Sequence, residues 1–274
     1  GRKQLISAAF EPLLGKRVHG PGGKVIDMLA IFATLFGSAA SLGLGALQIT
    51  SGLEIVAGIG EVGNGVLVGI IAVLTAAFVV SAVSGVARGI QWLSNINMVL
   101  ALLLAVFLFI VGPTVFILNL LPTSLGTYAA DLPMMSARSG AEGAAVDEWL
   151  ASWTIFYWAW WMSWTPFVGM FIARISRGRT IRQFVTGVLL VPSVVSLVWF
   201  AIFGGTAIDL QESGVDIAGA GGQESQLFNT LAELPWATLT SVVVMLLVAI
   251  FFVSGADAAS IVMGTLSERG TIEP

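Results

Sequence analysis

Six tryptophans fall between positions 149 and 164: Trp149, Trp153, Trp158, Trp160, Trp161 and Trp164. Indole faces attract cations, and quaternary ammonium groups above all, because such ions offer no N–H for hydrogen bonding. The stretch 149–173 carries no charge. Its ~25 residues would make roughly 38 Å of helix, enough to cross a bilayer with some tilt. Trp149 and Trp153 suit a belt at headgroup level. Trp160, Trp161 and Trp164 fall near the middle of the span, where a belt does not explain them. Trp153, Tyr157, Trp160, Trp161, Trp164 and Phe167 recur at i, i+4, i+7, i+8, i+11 and i+14, so they share one face. Packing against a neighbouring helix also produces such a stripe. The spacing leaves packing and binding both open.

Pro166 has no N–H, so the carbonyl of Met162 loses its helical partner. Ser163 and Thr165 bracket Trp164 with hydroxyls. Freed backbone polar groups at mid-membrane are tolerated where protein or a water-filled cavity satisfies them. The combination predicts a helix disturbed near Pro166, with polar groups and aromatic faces together, as at the midplane site of a secondary transporter. Thr34 and Ser38, four apart, put two hydroxyls on one face, either for back-bonding to helix carbonyls or as cation ligands. Asp257, near the end of an apolar run, is expensive in hydrocarbon. It is either a helix-end residue at the interface or one that faces protein or water. Arg174, Arg177, Arg179 and Arg182 follow the tryptophans, as a topology signal or as a patch for anionic lipid heads. His19, in a polar Gly/Lys/Arg/Pro stretch, reads as solvated.

The frame that must hold these residues is apolar. Of 274 residues, 57% are hydrophobic and 10% charged, with mean hydropathy +0.93. A soluble domain carries about a quarter charged residues. The composition predicts an all-α polytopic membrane protein. There is no cysteine, which excludes disulfides and thiol chemistry. The sequence offers no His, Cys or paired-carboxylate ligand cluster, no nucleophile with a base and no phosphate loop. An enzyme needs such a constellation, so the chain reads as no enzyme, with no cofactor and no nucleic-acid partner.

Six spans are expected, at 25–49, 65–86, 96–121, 149–173, 183–208 and from 235 through 253 towards the SGADAAS run. The organisation that follows is an interfacial segment at 1–24, three spans within 25–121 and an extracellular or periplasmic loop at 122–147. Three further spans lie within 148–267, and 268–274 is a tail. Small residues at Gly37, Ser41 and Gly45 predict close helix contact along the first span. With loops assigned alternately, eleven of the twelve basic residues fall on one side and Arg138 alone on the other. That side is cytoplasmic by the positive-inside rule, and both ends of the piece lie there. The chain starts without Met and stops soon after its last apolar run, as a piece of a longer protein would.

The run WTIFYWAWWMSWTPFVGMFIARISRGRTIRQF resembles the signature segment of the betaine/carnitine/choline transporters. GRKQL, FGSAASLGLGALQI, SNINMVLALLLAVFLFIVGPTVFILNLLP and IFGGTAI extend the resemblance over nearly the whole chain. It implies a leucine-transporter-like inverted-repeat fold, two repeats of five helices plus extra helices, of which six spans are present. The first three would close one repeat and the last three open the other. The implied activity is uptake of a quaternary-ammonium compatible solute, glycine betaine first, coupled to sodium, in a multi-pass protein of the bacterial cell membrane. Terminal domains would add osmotic regulation, and the protein could be a homo-oligomer. By resemblance, Trp161 belongs to the aromatic substrate box, with Trp160 and Trp164 lining the path. One sodium site maps onto Thr34, Ser38 and Phe167, with serine at 38 where threonine is expected. A second maps onto Phe251, Ser254 and Gly255, where two adjacent hydroxyls are expected and Gly255 supplies none. Backbone carbonyls would then compensate, or the coupling ion differs. The alternatives are a choline or carnitine carrier coupled to protons or exchange, a passive channel, and a structural membrane subunit.

Overall fold

The structure is a computed structural model. It describes residues 4–270 except 59, 61, 84–86, 177 and 220, with only the backbone at 87–91, 93, 174 and 175. Short helical turns at Ser7–Phe10, Glu11–Leu14 and Gly15–His19 precede α1 (Pro21–Ala57). Then come α2 (Asn64–Val83), α3 (Ala87–Val111) and α4 (Thr114–Ser136). Ala144–Trp149 and a π-helical stretch, Leu150–Phe156, lead into α5 (Tyr157–Ile175). The chain continues as α6 (Ile181–Glu212), α7 (Gln226–Ala232) and α8 (Ala237–Ser267). No strand occurs among the described residues.

Among the described residues six helices are long and apolar enough to cross a membrane: Pro21–Ala57, Asn64–Val83, Ser94–Val111, Thr114–Ser136, Ile181–Glu212 and Ala237–Ser267. The number matches the expectation, but the membership differs. The tryptophan helix is not among them, because Trp, Tyr, Pro and Ser count as weakly polar on a hydropathy scale. Thr114–Ser136 takes its place. The expected end of the second span, at 86, lies outside the described residues, as do positions 1–3 and 271–274 of the expected end segments.

The chain forms two compact units: Gly1–Leu42 with Ala137–Arg179 and Gly255–Pro274, and Gly43–Ser136 with Thr180–Ser254. The second has a core of Leu104, Leu108, Ile117, Phe203, Phe228 and Leu231. Here the expected third span, 96–121, is two helices with a break at Gly112 and Pro113, and the helix does not stop at Pro122. Pro113 lacks the N–H that would bond the Phe109 carbonyl. The Thr114 hydroxyl donates to that carbonyl instead, at 2.6 Å. The bend presses Gly112 against α6, where an added Cβ would lie 2.9 Å from Thr206 Oγ1. The part of 122–147 expected as loop is therefore helical as far as Ser136. Only the start of α4 packs: Ile117 is 3% exposed, whereas 122–130 are exposed throughout. At the head of α6, Thr180 and Gln183 form a reciprocal capping box, which satisfies two amide donors that the helix leaves open.

In the first unit the N-terminal segment is pinned to α1. The Ser7 backbone N–H donates to Asp27 Oδ1 at 2.9 Å, and its hydroxyl donates to Oδ2 at 2.8 Å. Ser7 is buried, while Phe10, Leu13 and Leu14 nearby are exposed, as an interfacial segment requires. Helix α1 starts at Pro21, inside the expected Gly/Pro turn, because the fixed φ of proline suits a first helical turn. Gln4 N–H donates to the Gly270 carbonyl at 3.3 Å, joining this segment to the chain just past α8. Asp27→Ala should strand the buried Ser7 hydroxyl and amide, at about 1–3 kcal/mol. The expected outcome is faster tryptic cleavage after Lys16 and Arg17 in the purified protein. An unchanged cleavage rate would refute the docking.

Candidate tryptophan site

Helix α5 meets α1 where the side chains of α1 are smallest. Gly37 is buried, and a Cβ there would lie 2.2 Å from Ser163 Oγ and 3.1 Å from Trp164 Cδ1. Contact this close exists only because residue 37 has no side chain. The indoles then find acceptors on α1. Trp160 Nε1–H donates to Ser41 Oγ at 2.7 Å, and Ser41 Oγ–H donates to the Gly37 carbonyl at 3.0 Å. Trp164 Nε1–H donates to the same carbonyl at 3.3 Å. A buried indole N–H needs an acceptor, and α1 offers a carbonyl and a hydroxyl four residues apart.

The three central tryptophans therefore divide. Trp160 and Trp164, four apart, are partly buried and turned to α1. Trp161, about 100° round the helix, is 57% exposed. Tyr157 packs edge-on to both Trp160 and Trp161, with centroids 5.8 and 6.1 Å away. The Trp160 and Trp161 rings are 6.4 Å apart and tilted 44°. Below them Trp164 and Phe167 meet edge to face at 5.7 Å. The stripe is thus a packing seam on one edge and an open aromatic cluster on the other. Tyr157 and Ser41 belong to this cluster although the sequence did not single them out as site residues. The signal that could have found Ser41 is the need of a mid-span indole for an oxygen on a neighbouring helix.

The expected disturbance at Pro166 is absent. Helix α5 runs through Pro166 to Ile175. The flanking hydroxyls turn back on their own helix: Ser163 Oγ–H donates to Trp160 O at 2.6 Å and Thr165 Oγ1–H to Trp161 O at 3.2 Å. They hold the turn around the proline. The irregular stretch is instead the π-helix Leu150–Phe156, which ends directly before Tyr157 of the cluster. Such wide turns re-aim the side chains that follow and recur at functional sites.

Residues 1–274 match the family model described as BCCT, betaine/carnitine/choline family transporter. The chain belongs to this family. It is 48% identical to the betaine/ectoine transporter LcoP of Corynebacterium glutamicum, over all of this chain and 44% of that protein. It is 47% identical to the glycine betaine transporter OpuD of Bacillus subtilis, over all of this chain and 53% of the relative. Glycine betaine transporter 1 of Vibrio parahaemolyticus is 43% identical, over 98% of this chain and 51% of its own length. The chain spans about half the length of the curated relatives it matches. Family members are transporters, and this chain is part of a multi-pass membrane protein.

The remaining candidates of this BCCT chain are placed as follows. Thr34 is buried, and its hydroxyl donates to Ala30 O at 2.8 Å, which leaves oxygen lone pairs for a cation. Ser38 lies on the next turn and is half-buried, as is Phe167. Phe251 is 63% exposed, and Ser254 Oγ–H makes only a long bond, 3.4 Å, to its carbonyl. Nothing lies within 4 Å of a Cβ built on Gly255. Arg179 and Arg182 are exposed, while Arg177 and the side chain of Arg174 lie outside the described residues. Arg138 places its guanidinium 5.2 Å from the ring of Trp149, a cation–π contact suited to the polar end of a span.

Proposed function

We propose that the full-length transporter takes up a quaternary-ammonium compatible solute, glycine betaine first, across the bacterial cell membrane together with sodium. One observation carries this reading: Trp160 and Trp164 commit their N–H groups to α1, while Trp161 keeps an exposed ring beside Tyr157. Two or three such faces would hold a methylated ammonium at ~0.5–2 kcal/mol each. Affinity of that order permits release on the far side. The names of the relatives, betaine and betaine/ectoine transporters, support the same solute class. Sodium would be held by oxygens at Thr34 and Ser38 with the Phe167 ring, and at a second set by Ser254 and backbone around Phe251 and Gly255. Each charge moved inward contributes ~2.3 kcal/mol per 100 mV to accumulation. In this reading the chain keeps the inverted-repeat frame of the family. The excess of basic residues on one side supports both ends lying in the cytoplasm, where Arg174, Arg177, Arg179 and Arg182 would meet anionic lipid.

The printed name of the Corynebacterium relative favours a second reading, with ectoine as an additional solute. Its delocalised amidinium also suits an indole face. Uptake by the full-length protein in proteoliposomes tests both. Unlabelled betaine is expected to compete with labelled betaine, with choline, carnitine and proline weaker. Competition by ectoine would establish the wider range. Replacing external sodium by potassium is expected to abolish accumulation. Undiminished accumulation would mean protons or exchange drive it.

A further inference from the structure

In the first unit, the N-terminal turns and the end of α8 enclose a cavity of about 660 Å³ against the start of α1. It forms because the Gly15–His19 turn folds back on the first turn of α1. A Cβ on Gly23 would lie 1.7 Å from the Val18 carbonyl oxygen, so only glycine lets the turn come this close. Val18 is buried and lines the cavity with Met28 and Ile31 of α1 and Leu266 of α8. The helix side of the lining is therefore apolar. Met28 is itself half exposed, and so are Phe32 and Phe36, four and eight residues further along the same face. The two phenylalanine rings stack with centroids 6.3 Å apart. An apolar strip thus leads from the cavity along α1 towards the membrane interior.

The charged part of the lining is unevenly paired. Glu11, His19, Lys24, Asp27 and Arg269 all border the cavity. Both carboxylates are engaged. Asp27 accepts the Ser7 amide on one oxygen and the Ser7 hydroxyl on the other. Glu11 Oε1 lies 3.9 Å from His19 Nε2. Lys24 and Arg269 make no ion pair among the described residues. Two cations at one cavity repel each other and both gain from a shared anion. An ammonium and a guanidinium together suit a phosphate, one as a point charge and the other as a planar fork of donors. A small free anion would leave the apolar strip in contact with water, at a cost in proportion to its area. A phospholipid satisfies both parts, with its phosphate between the cations and an acyl chain along Met28, Phe32 and Phe36. This end of α1 lies on the side with the excess of basic residues, where anionic headgroups are attracted most strongly.

We infer that this cavity binds an anionic phospholipid, whose phosphate is held by Lys24 and Arg269. The site is separate from the tryptophan cluster and from the arginines at 174–182, and it is tested by binding, without uptake. Full-length protein purified in detergent is titrated with phosphatidylglycerol. The half-saturating lipid concentration is read from the rise in the unfolding midpoint. Lys24→Gln and Arg269→Gln are each expected to raise that concentration about 5-fold, and the double variant about 30-fold. The single variants serve if the double variant does not purify. Lys24→Arg combined with Arg269→Lys keeps both charges and should bind severalfold more tightly than the glutamine pair. Arg17→Gln removes a neighbouring charge that does not border the cavity and should change little. Phosphatidylcholine, whose ammonium offsets its phosphate, should need roughly tenfold more lipid for the same rise. Inorganic phosphate should give no rise over the same concentrations. A half-saturating concentration unchanged in the double glutamine variant overturns the site. A loss from Arg17→Gln equal to that from Lys24→Gln would reduce it to diffuse surface charge. Saturation by inorganic phosphate in the same range would assign the cavity to a free anion and overturn the lipid.

Discussion

Gly37→Val is expected to part α5 from α1 and abolish uptake. The first atom of any side chain at 37 would lie 2.2 Å from Ser163 Oγ and 2.9 Å from Ser163 Cβ. Ser163 cannot swing away freely, because its hydroxyl is bonded to the Trp160 carbonyl at 2.6 Å. The helices must separate, and both indole hydrogen bonds to α1 stretch with them. Overpacking costs about 1–3 kcal/mol and each orphaned buried donor adds about 1 kcal/mol or more. The sum is a large share of a typical stability of ~5–15 kcal/mol. Thermal unfolding of the full-length protein in detergent should show a clear fall in midpoint. Gly37→Ala should be milder and should be relieved by Ser163→Gly, which removes the opposing atoms. A valine variant with wild-type melting and transport would show that the two helices do not meet there.

Trp161→Leu is expected to cut uptake about 2- to 30-fold while the protein still inserts. Its ring is 57% exposed and no hydrogen bond holds its N–H among the described residues. Removing one cation–π face loses ~0.5–2 kcal/mol of substrate binding, roughly 2- to 30-fold, and further rate if the lost orientation matters. Trp160→Phe should do the reverse. It keeps an aromatic face but deprives Ser41 of its donor, costing about 1 kcal/mol of stability. Wild-type uptake by the leucine variant would remove the binding-site reading and leave only packing.

The stripe from Trp153 to Phe167 was legible from its period, since residues about 3.6 apart must share a helix face. So was the contact surface of α1, because only small residues let backbones approach. The composition decided that the protein is helical and membrane-embedded. Prolines were less legible. Pro113 coincides with a break, whereas Pro122, Pro133, Pro166 and Pro192 lie inside helices. All five lose the same N–H. What differs at 113 is the preceding Gly112, a poor helix former, together with Thr114, whose hydroxyl is placed to take over the Phe109 carbonyl.

The amino-acid order by itself determined the apolar runs, the helical class, the aromatic face and the family. Only the tertiary structure decided which indoles are anchors and which is open, and that Asp257 is buried rather than at a helix end. The physical reason is range. Periodicity and propensity act over one or two helical turns, but the acceptors for Trp160 and Trp164 come from residues 119 and 127 positions away. A donor's partner at that distance exists only once the helices have packed.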